Sequence, residues 1–179
     1  MTSLVMTIMG TDGPGLVESV AQVVADHDGN WLERRMAHLA GQFAGVLRIS
    51  VAPEQAQALI AAISELESRG LRVLIEQSEH NDSPSSPLPV VMQLIGSDRP
   101  GIVRQVSHTL ASKGVNVEEF HSECVNAPMS GEKIFRARAD LRLPAGLSLI
   151  ELRCELEQIA QDLVADITLR ESDDKVTNA

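Results

Sequence analysis

Aromatic side chains are almost absent from this chain of 179 residues, which has no tyrosine, one tryptophan and three phenylalanines. A sheet that binds RNA needs aromatic rings on which bases can stack, and it presents a basic surface. The formal net charge of −10 opposes the field of a phosphate backbone. We therefore expect no direct contact with nucleic acid.

Cysteines and long apolar runs are also scarce. Cys124 and Cys154 are the only cysteines, too few for a disulfide framework, and both suit a reducing compartment. The apolar run at residues 4–9 is shorter than the core of a signal peptide, and no basic stretch precedes it. The sequence predicts a cytoplasmic protein with no membrane contact.

Motifs for common enzyme chemistry are missing as well. The sequence contains no G-x-S-x-G, H-E-x-x-H, P-loop or dinucleotide fingerprint. His121 and Cys124 are spaced like a pair of metal ligands, but residues three apart on a strand point to opposite faces. No second pair completes a zinc site. We predict a protein that is not an enzyme and has no catalytic residues, no metal and no cofactor.

The strongest signal in the sequence is an internal repeat. The segment GTDGPGLV at residues 10–17 returns as GSDRPGIV at residues 96–103, and Asn30 recurs as Asn116 at the same interval. Each copy contains several secondary-structure elements, so the repeat is a duplicated small domain rather than a solenoid unit.

A polar, proline-rich stretch, EHNDSPSSPL, separates the two copies. We predict a first module at residues 1–78, a linker at 79–88, a second module at 89–171 and a loose tail at 172–179. A core of about 80 residues is only marginally stable on its own, so the two modules are expected to pack together.

Hydrophobic periodicity switches in the same order in both copies: strand, helix, strand, strand, helix, strand. Pro14 and Pro100 are expected in the first turn of a helix. The predicted helical stripes comprise Leu16, Val17, Val20 and Val24 in the first copy, and Ile102, Val103, Val106 and Leu110 in the second. This order predicts an α+β fold of two tandem ferredoxin-like βαββαβ sandwiches, each an antiparallel four-stranded sheet with both helices on one face.

The outer faces of these sheets are not convincingly polar. Val5, Met9, Val46, Val91 and Ile95 are expected to point away from the helices. Two sheets that face each other, or strands that join edge to edge across copies or chains, would both cover this surface. We expect a homodimer or an intimate two-module unit.

Both copies resemble the ACT domain, a regulatory module of many proteins in amino-acid metabolism. The matching pattern is a first strand that ends in G-x-D-x-P-G-[LI]-V, a helix, and an asparagine that opens the second strand. The resemblance implies an effector site between paired modules. The ligand-binding residues it implies are Asp12, Gly13, Gly15, Asn30, Asp98, Arg99, Gly101 and Asn116.

The chemistry of these residues fits a zwitterion. The N-terminus of a helix attracts a carboxylate, an aspartate accepts from an ammonium group, and an asparagine both donates and accepts. We expect the first turn to bind slightly better, because Gly13 leaves it open and Arg99 crowds the second.

A purely structural role is the alternative. Asp12 and Asp98 are residues that often cap helices, and Asn30 and Asn116 tolerate left-handed backbone after a helix. The sequence leaves both interpretations open.

The resemblance implies a non-enzymatic regulatory protein that senses a small amino acid. A narrower likeness, to a glycine-responsive transcriptional repressor made of two such modules, implies glycine as the effector. Because the sequence has no helix-turn-helix, control of transcription would act through contact with a DNA-binding regulator. The alternative is an amino-acid-binding regulatory subunit of a metabolic enzyme or transporter.

Overall fold

The computed structural model describes residues 1–78, 88–127 and 131–172, and the chain divides into two compact units, Met1–Ser83 and Pro84–Ala179. Residues 79–87 of the predicted linker and 173–179 of the predicted tail lie outside the described residues. Leu88, assigned to the linker from sequence, is the first residue of a strand. Ser172, assigned to the tail, donates a backbone hydrogen bond to Pro89 at 2.9 Å.

The first module has the predicted order of elements. They are β1 (Thr2–Thr11), α1 (Leu16–Asp26), β2 (Asn30–Leu39), β3 (Gln42–Val51), α2 (Pro53–Glu65), a short 3-10 helix (Leu66–Arg69) and β4 (Leu71–Ser78). The strands form one antiparallel sheet in the order β2-β3-β1-β4.

The second module repeats this arrangement. Its elements are β5 (Leu88–Ser97), α3 (Ile102–Ser112), β6 (Asn116–Asn126), β7 (Lys133–Leu143), α4 (Leu149–Leu163) and β8 (Ala165–Glu171). The sheet order is β6-β7-β5-β8, equivalent to that of the first module. The predicted tandem of two βαββαβ sandwiches is confirmed.

Strict alternation along the central strands builds the two cores. Leu4, Met6 and Ile8 of β1 are at most 1% exposed, and Val90, Met92 and Leu94 of β5 take the same places in the second core. No charged or polar residue is buried in the part of the chain that the structure describes. The fold is therefore held by apolar contact between one sheet face and two helices.

The helices begin later than the sequence indicated. Pro14 and Pro100 were expected inside the first helical turn, but they lie in a turn that precedes the helix. Gly15 and Gly101, with φ of 85° and 92°, follow the prolines and act as N-caps. A left-handed residue cannot belong to a right-handed helix, which is why each helix starts one residue after its glycine.

The buried face of both helices is narrower than the predicted stripe. Val17 and Val103, predicted in the apolar stripes, are 42% and 41% exposed. Burial follows a spacing of four residues, as in Val20 and Val24 of α1. A residue directly after the first buried position is rotated by about 100° and leaves the contact.

Tight connections match the turn chemistry of the sequence. Ala40 and Gly41, both with positive φ, join β2 to β3 in a two-residue hairpin. Ser148 caps α4, and its hydroxyl and backbone N–H exchange hydrogen bonds with Glu151, which forms a capping box that the S-x-x-E spacing of the sequence encodes. The second hairpin is longer, and residues 128–130 of it lie outside the described residues.

Helix length also sets a limit. The longest described helix, α4, has 15 residues. A span of the bilayer needs about 20 predominantly apolar residues. None of the described helices is long and apolar enough to cross a membrane.

Candidate functional site

The two repeated turns are anchored to the neighbouring hairpins by their aspartates. The backbone N–H of Asp12 donates to the carbonyl oxygen of Gly41 at 2.9 Å, and that of Asp98 donates to Lys133 at 3.0 Å. These bonds hold each turn at the same end of its sheet as the following hairpin. The turn residues from Asp12 to Gly15 and from Asp98 to Gly101 are all exposed.

Neither aspartate caps its helix. Gly15 and Gly101 occupy the N-cap positions, and no side chain accepts a hydrogen bond from the first turn of α1 or α3. In α3 the N–H of Ile102 is used by the carbonyl oxygen of Arg99 at 3.3 Å. The capping interpretation of Asp12 and Asp98 is wrong, because the left-handed glycine takes the cap position between the aspartate and the helix.

Each aspartate instead faces a donor on the next strand. Oδ2 of Asp12 lies 3.4 Å from Nε2 of His38 in β2. The equivalent position in β6 is Cys124, and Asp98 raises the pKa of its thiol. From the sequence, no partner was assigned to His38. The repeat interval aligns His38 with Cys124, and this alignment could have indicated that the two residues occupy equivalent positions.

The charges around Cys124 act on its thiol in opposite directions. Desolvation, together with the negative charge of Asp98, raises the pKa of the thiol above its usual value, and the nearby Lys133 ammonium opposes the shift.

Asn30 and Asn116 are the first residues of β2 and β6, as the sequence predicted. Left-handed backbone occurs two residues earlier, at Asp28 (φ 52°) and Gly114 (φ 69°). The interpretation that the asparagines accommodate a left-handed helix end is wrong. Both side chains are exposed, and they form no hydrogen bond within the described residues.

Within one module, the aspartate and the asparagine lie at opposite ends of the sheet. Asn30, at the start of β2, pairs with Ser50. The turn at Asp12 follows Thr11, which pairs with Gln42, and Gln42 pairs with Leu39 at the other end of β2. About nine residues of strand separate the two levels, which corresponds to roughly 30 Å. A single module therefore does not bring Asp12 and Asn30 together around one small ligand.

The two turns differ in charge. In the first module Glu18 lies in the first turn of α1, and its Oε2 lies 3.9 Å from the Cβ that a side chain at Gly15 would have. The second module has no acidic residue in the first turn of α3. It has Arg99 in the turn and Arg104 as the third helical residue. The second turn is thus the more favourable one for an anion.

A groove of about 500 Å³ lies between α1 and the end of α2 in the first module. Glu18, Asp26 and Glu65 contribute carboxylates to it, and Arg69 a cation. The groove does not include Asp12 or Asn30. No periodic pattern in the sequence could have indicated it, since its lining comes from two separate helices.

The H-x-x-C pair has no metal-binding geometry. His121 pairs with Arg138 on the solvent side of the sheet, and Cys124 pairs with Phe135 on the helix side. The described residues contain no group of three or more potential ligands that could hold a metal ion.

Comparison with protein families agrees with the motif. A family model described as the ACT domain matches residues 2–76. A search of curated proteins finds no significant match.

Solved structures extend the likeness to both modules. An unknown protein from Galdieria sulphuraria shares 27% sequence identity, with a TM-score of 0.85 over 96% of this chain and 98% of the other. A candidate glycine cleavage system transcriptional repressor shares 18% identity, with a TM-score of 0.68 over the same fractions. The tandem arrangement thus recurs in chains of the same extent.

Proposed function

Residues 2–76 form an ACT domain and the second module repeats its fold, and from this premise we propose a non-enzymatic regulatory protein that binds a small amino acid at its Asp-x-Pro-Gly turns. The observation that carries the proposal is the exposed aspartate beside an uncapped helix N-terminus, present in both modules. The helix end supplies donors for a carboxylate, and the aspartate accepts from an ammonium group.

The second module is the stronger candidate for effector binding. A negative Glu18 in the first turn of α1 competes with a ligand carboxylate, whereas Arg99 and Arg104 attract one at α3. This reverses the preference for the first turn that the open Gly13 suggested from sequence.

Asn116 would take part only if a second module completes the site. β6 is an edge strand, with the Asp98 turn beside one end and Asn116 at the other. If two copies of the chain pair these edges in antiparallel direction, the Asp98 end of one meets the Asn116 end of the other. The ligand would then lie between copies, and binding would favour the homodimer.

Glycine is the first effector to test, because the structurally similar candidate repressor is named for the glycine cleavage system. Glycine has no side chain, and it also fits a turn in which the residue next to the helix is itself a glycine. With a net charge of −10, the protein would control transcription by contact with a DNA-binding regulator in the cytoplasm rather than by binding DNA itself.

Isothermal titration of the purified chain with each common amino acid tests the binding function. Saturable heat with glycine or another small amino acid supports the proposal, and no heat with any of them contradicts it. The sample must first be unfolded and refolded to remove carried-over ligand.

Affinity capture from cell extract separates this function from its alternative, a regulatory subunit of a metabolic enzyme or transporter. An eluate that contains a DNA-binding regulator supports control of transcription. An eluate that contains an enzyme or transporter supports the alternative.

A further inference from the structure

The first sheet has an apolar surface on the side opposite its helices, here called the rear face. Met9, Val46 and Leu74 on this face are 44%, 48% and 63% exposed. Val5, Ala44 and one cation, Arg48, lie beside them by strand register, and Arg48 is paired with Glu33 at 3.0 Å. Large exposed apolar patches on a soluble domain indicate a surface that binds another protein.

Strand register arranges the rear face in rows. Leu74 lies level with Thr7 and Val46 in the middle row. Glu76 lies level with Val5 in the row on one side, and Arg72 lies level with Met9 in the row on the other. Each row crosses β4, β1 and β3 in the same order.

Two opposite charges therefore flank the apolar centre on a single strand. Arg72 and Glu76 are both exposed, and neither forms an ion pair with any other described residue. Their side chains lie on the same face as Leu74, two residues to either side.

We propose that the rear face of the first sheet binds the rear face of a second copy of the chain, about a two-fold axis that crosses the strands at the row of Leu74. This axis places Leu74 over Leu74 of the second copy and Met9 over its Val5. It places Arg72 over Glu76 of the second copy, and the symmetry repeats that charge pair. The strands of the two sheets run nearly aligned, as in ordinary sheet-on-sheet packing.

The charges favour this axis over the other two-fold arrangement of the same faces. An axis parallel to the strands would place β4 over β2 of the second copy. Glu76 would then face Glu33, and Leu74 would face Arg35, and the symmetry repeats both contacts. The proposed axis has one like-charge contact, between Arg35 of the edge strand β2 and Arg35 of the second copy.

The second sheet does not offer the same surface. Its strand β7, equivalent to β3, presents Arg136, Arg138 and Asp140 on the rear face. Its strand β8, equivalent to β4, also carries two opposite charges, Asp166 and Arg170, but Thr168 lies between them where β4 has Leu74. The apolar centre between the charges is thus a property of the first module alone. Because that pattern is complementary to itself, a second copy of this chain fits it.

The size of the face predicts the strength of the contact. Four strands about 4.8 Å apart and eight residues long cover roughly 500 Å² per copy, or about 1,000 Å² in total. This value is at the lower limit for a specific interface. We therefore expect a dimer that dissociates on dilution.

Sedimentation velocity of the full chain over a range of concentrations, without added amino acids, tests the proposal. The wild type should self-associate reversibly, and Leu74→Arg should remove that step. Ile150→Arg is the matched control, because Ile150 is an apolar residue of α4 with a similar exposure, 72% against 63% for Leu74. A wild type that remains monomeric, or a Leu74→Arg variant that associates as the wild type does, would overturn the proposal.

Charge reversal tests the axis. Arg72→Glu or Glu76→Arg alone should each raise the dissociation constant about tenfold, since two attractive contacts become repulsive. The double variant should restore association. Tighter association of Glu76→Arg alone would support the axis parallel to the strands and overturn the one proposed. The site at the turns plays no part in these measurements, so their failure leaves the proposed effector binding in place.

Discussion

Asp12 and His38 lie 3.4 Å apart between the first turn and β2, and the second module holds Asp98 and Cys124 at the same two positions. Each turn carboxylate thus lies near one polar side chain of the second strand of its module. A ligand ammonium would add to this contact or replace it.

Replacing His38 with alanine should change the free energy of unfolding by less than about 1 kcal/mol, because both partners are about half exposed and water screens the pair. Urea unfolding of the wild type and the variant measures the difference. A loss well above that value would mean that the pair holds the turn in place.

Gly101 offers a sharper test of backbone geometry. Its φ of 92° is unfavourable for any residue with a Cβ, although no atom lies within 4 Å of the position. Gly101→Ala should therefore cost about 1 to 2 kcal/mol through backbone strain alone. Gly13→Ala is the control, since Gly13 has the same free space and no positive φ. Equal stability of the two variants in thermal unfolding would contradict the geometry of the turn.

The capping box of α4 predicts a dependence on pH. The backbone N–H and the hydroxyl of Ser148 lower the pKa of Glu151 from its usual 4.5. A carboxyl group with a lowered pKa in the folded state stabilises the fold above the unfolded-state pKa, and this contribution is lost as the pH falls through the folded-state pKa. The wild type should be more stable than Glu151→Gln at pH 7, and the difference should disappear in acid. A difference that stays constant with pH would contradict this account.

We expect no binding to duplex DNA by the purified chain. A net charge of −10 opposes the phosphate field, and the structure shows no groove-reading helix pair in the described residues. Electrophoretic mobility at about 150 mM salt measures this, where contacts to phosphate alone are weakened. Sequence-specific retardation without a partner protein would contradict the proposed mechanism.

The sequence predicted the fold well because its signals were local. The alternation at Leu4, Met6 and Ile8, the hairpin at Ala40 and Gly41, and the capping box at Ser148 each depend on a few neighbouring residues. Local patterns cannot show which residues that are distant in sequence come together. The contact of Asp12 with His38 could not be predicted for this reason, because it depends on how the turn lies against β2.

The separation of Asp12 from Asn30 escaped the sequence for a related reason. The resemblance grouped them in one ligand site, but a helix and a change of direction lie between them in the chain. Only the strand register shows that they occupy opposite ends of the sheet. The sequence shows the charge difference between the turns at Glu18 and Arg104. It does not show that these residues lie in the first turn of each helix, because the left-handed glycine that sets the helix start is visible only in the structure.

Effector binding at the second turn is the central claim, and thermal unfolding with and without ligand tests it most directly. At about one hundred times its dissociation constant, the bound amino acid should stabilise the fold by roughly 2.7 kcal/mol. A chain of this size gains about 2 to 4 °C per kcal/mol, so the melting temperature should rise by roughly 5 to 11 °C.

Asp98→Ala and Asn116→Ala should each abolish the rise while the unliganded proteins remain folded, and Asp12→Ala with Asn30→Ala reports on the first module. Asp162→Ala, at an exposed position of α4, is the control and should keep the full rise. A screen of all common amino acids that produces no rise in ligand-free wild type, or a full rise in Asp98→Ala and Asn116→Ala, would contradict the claim.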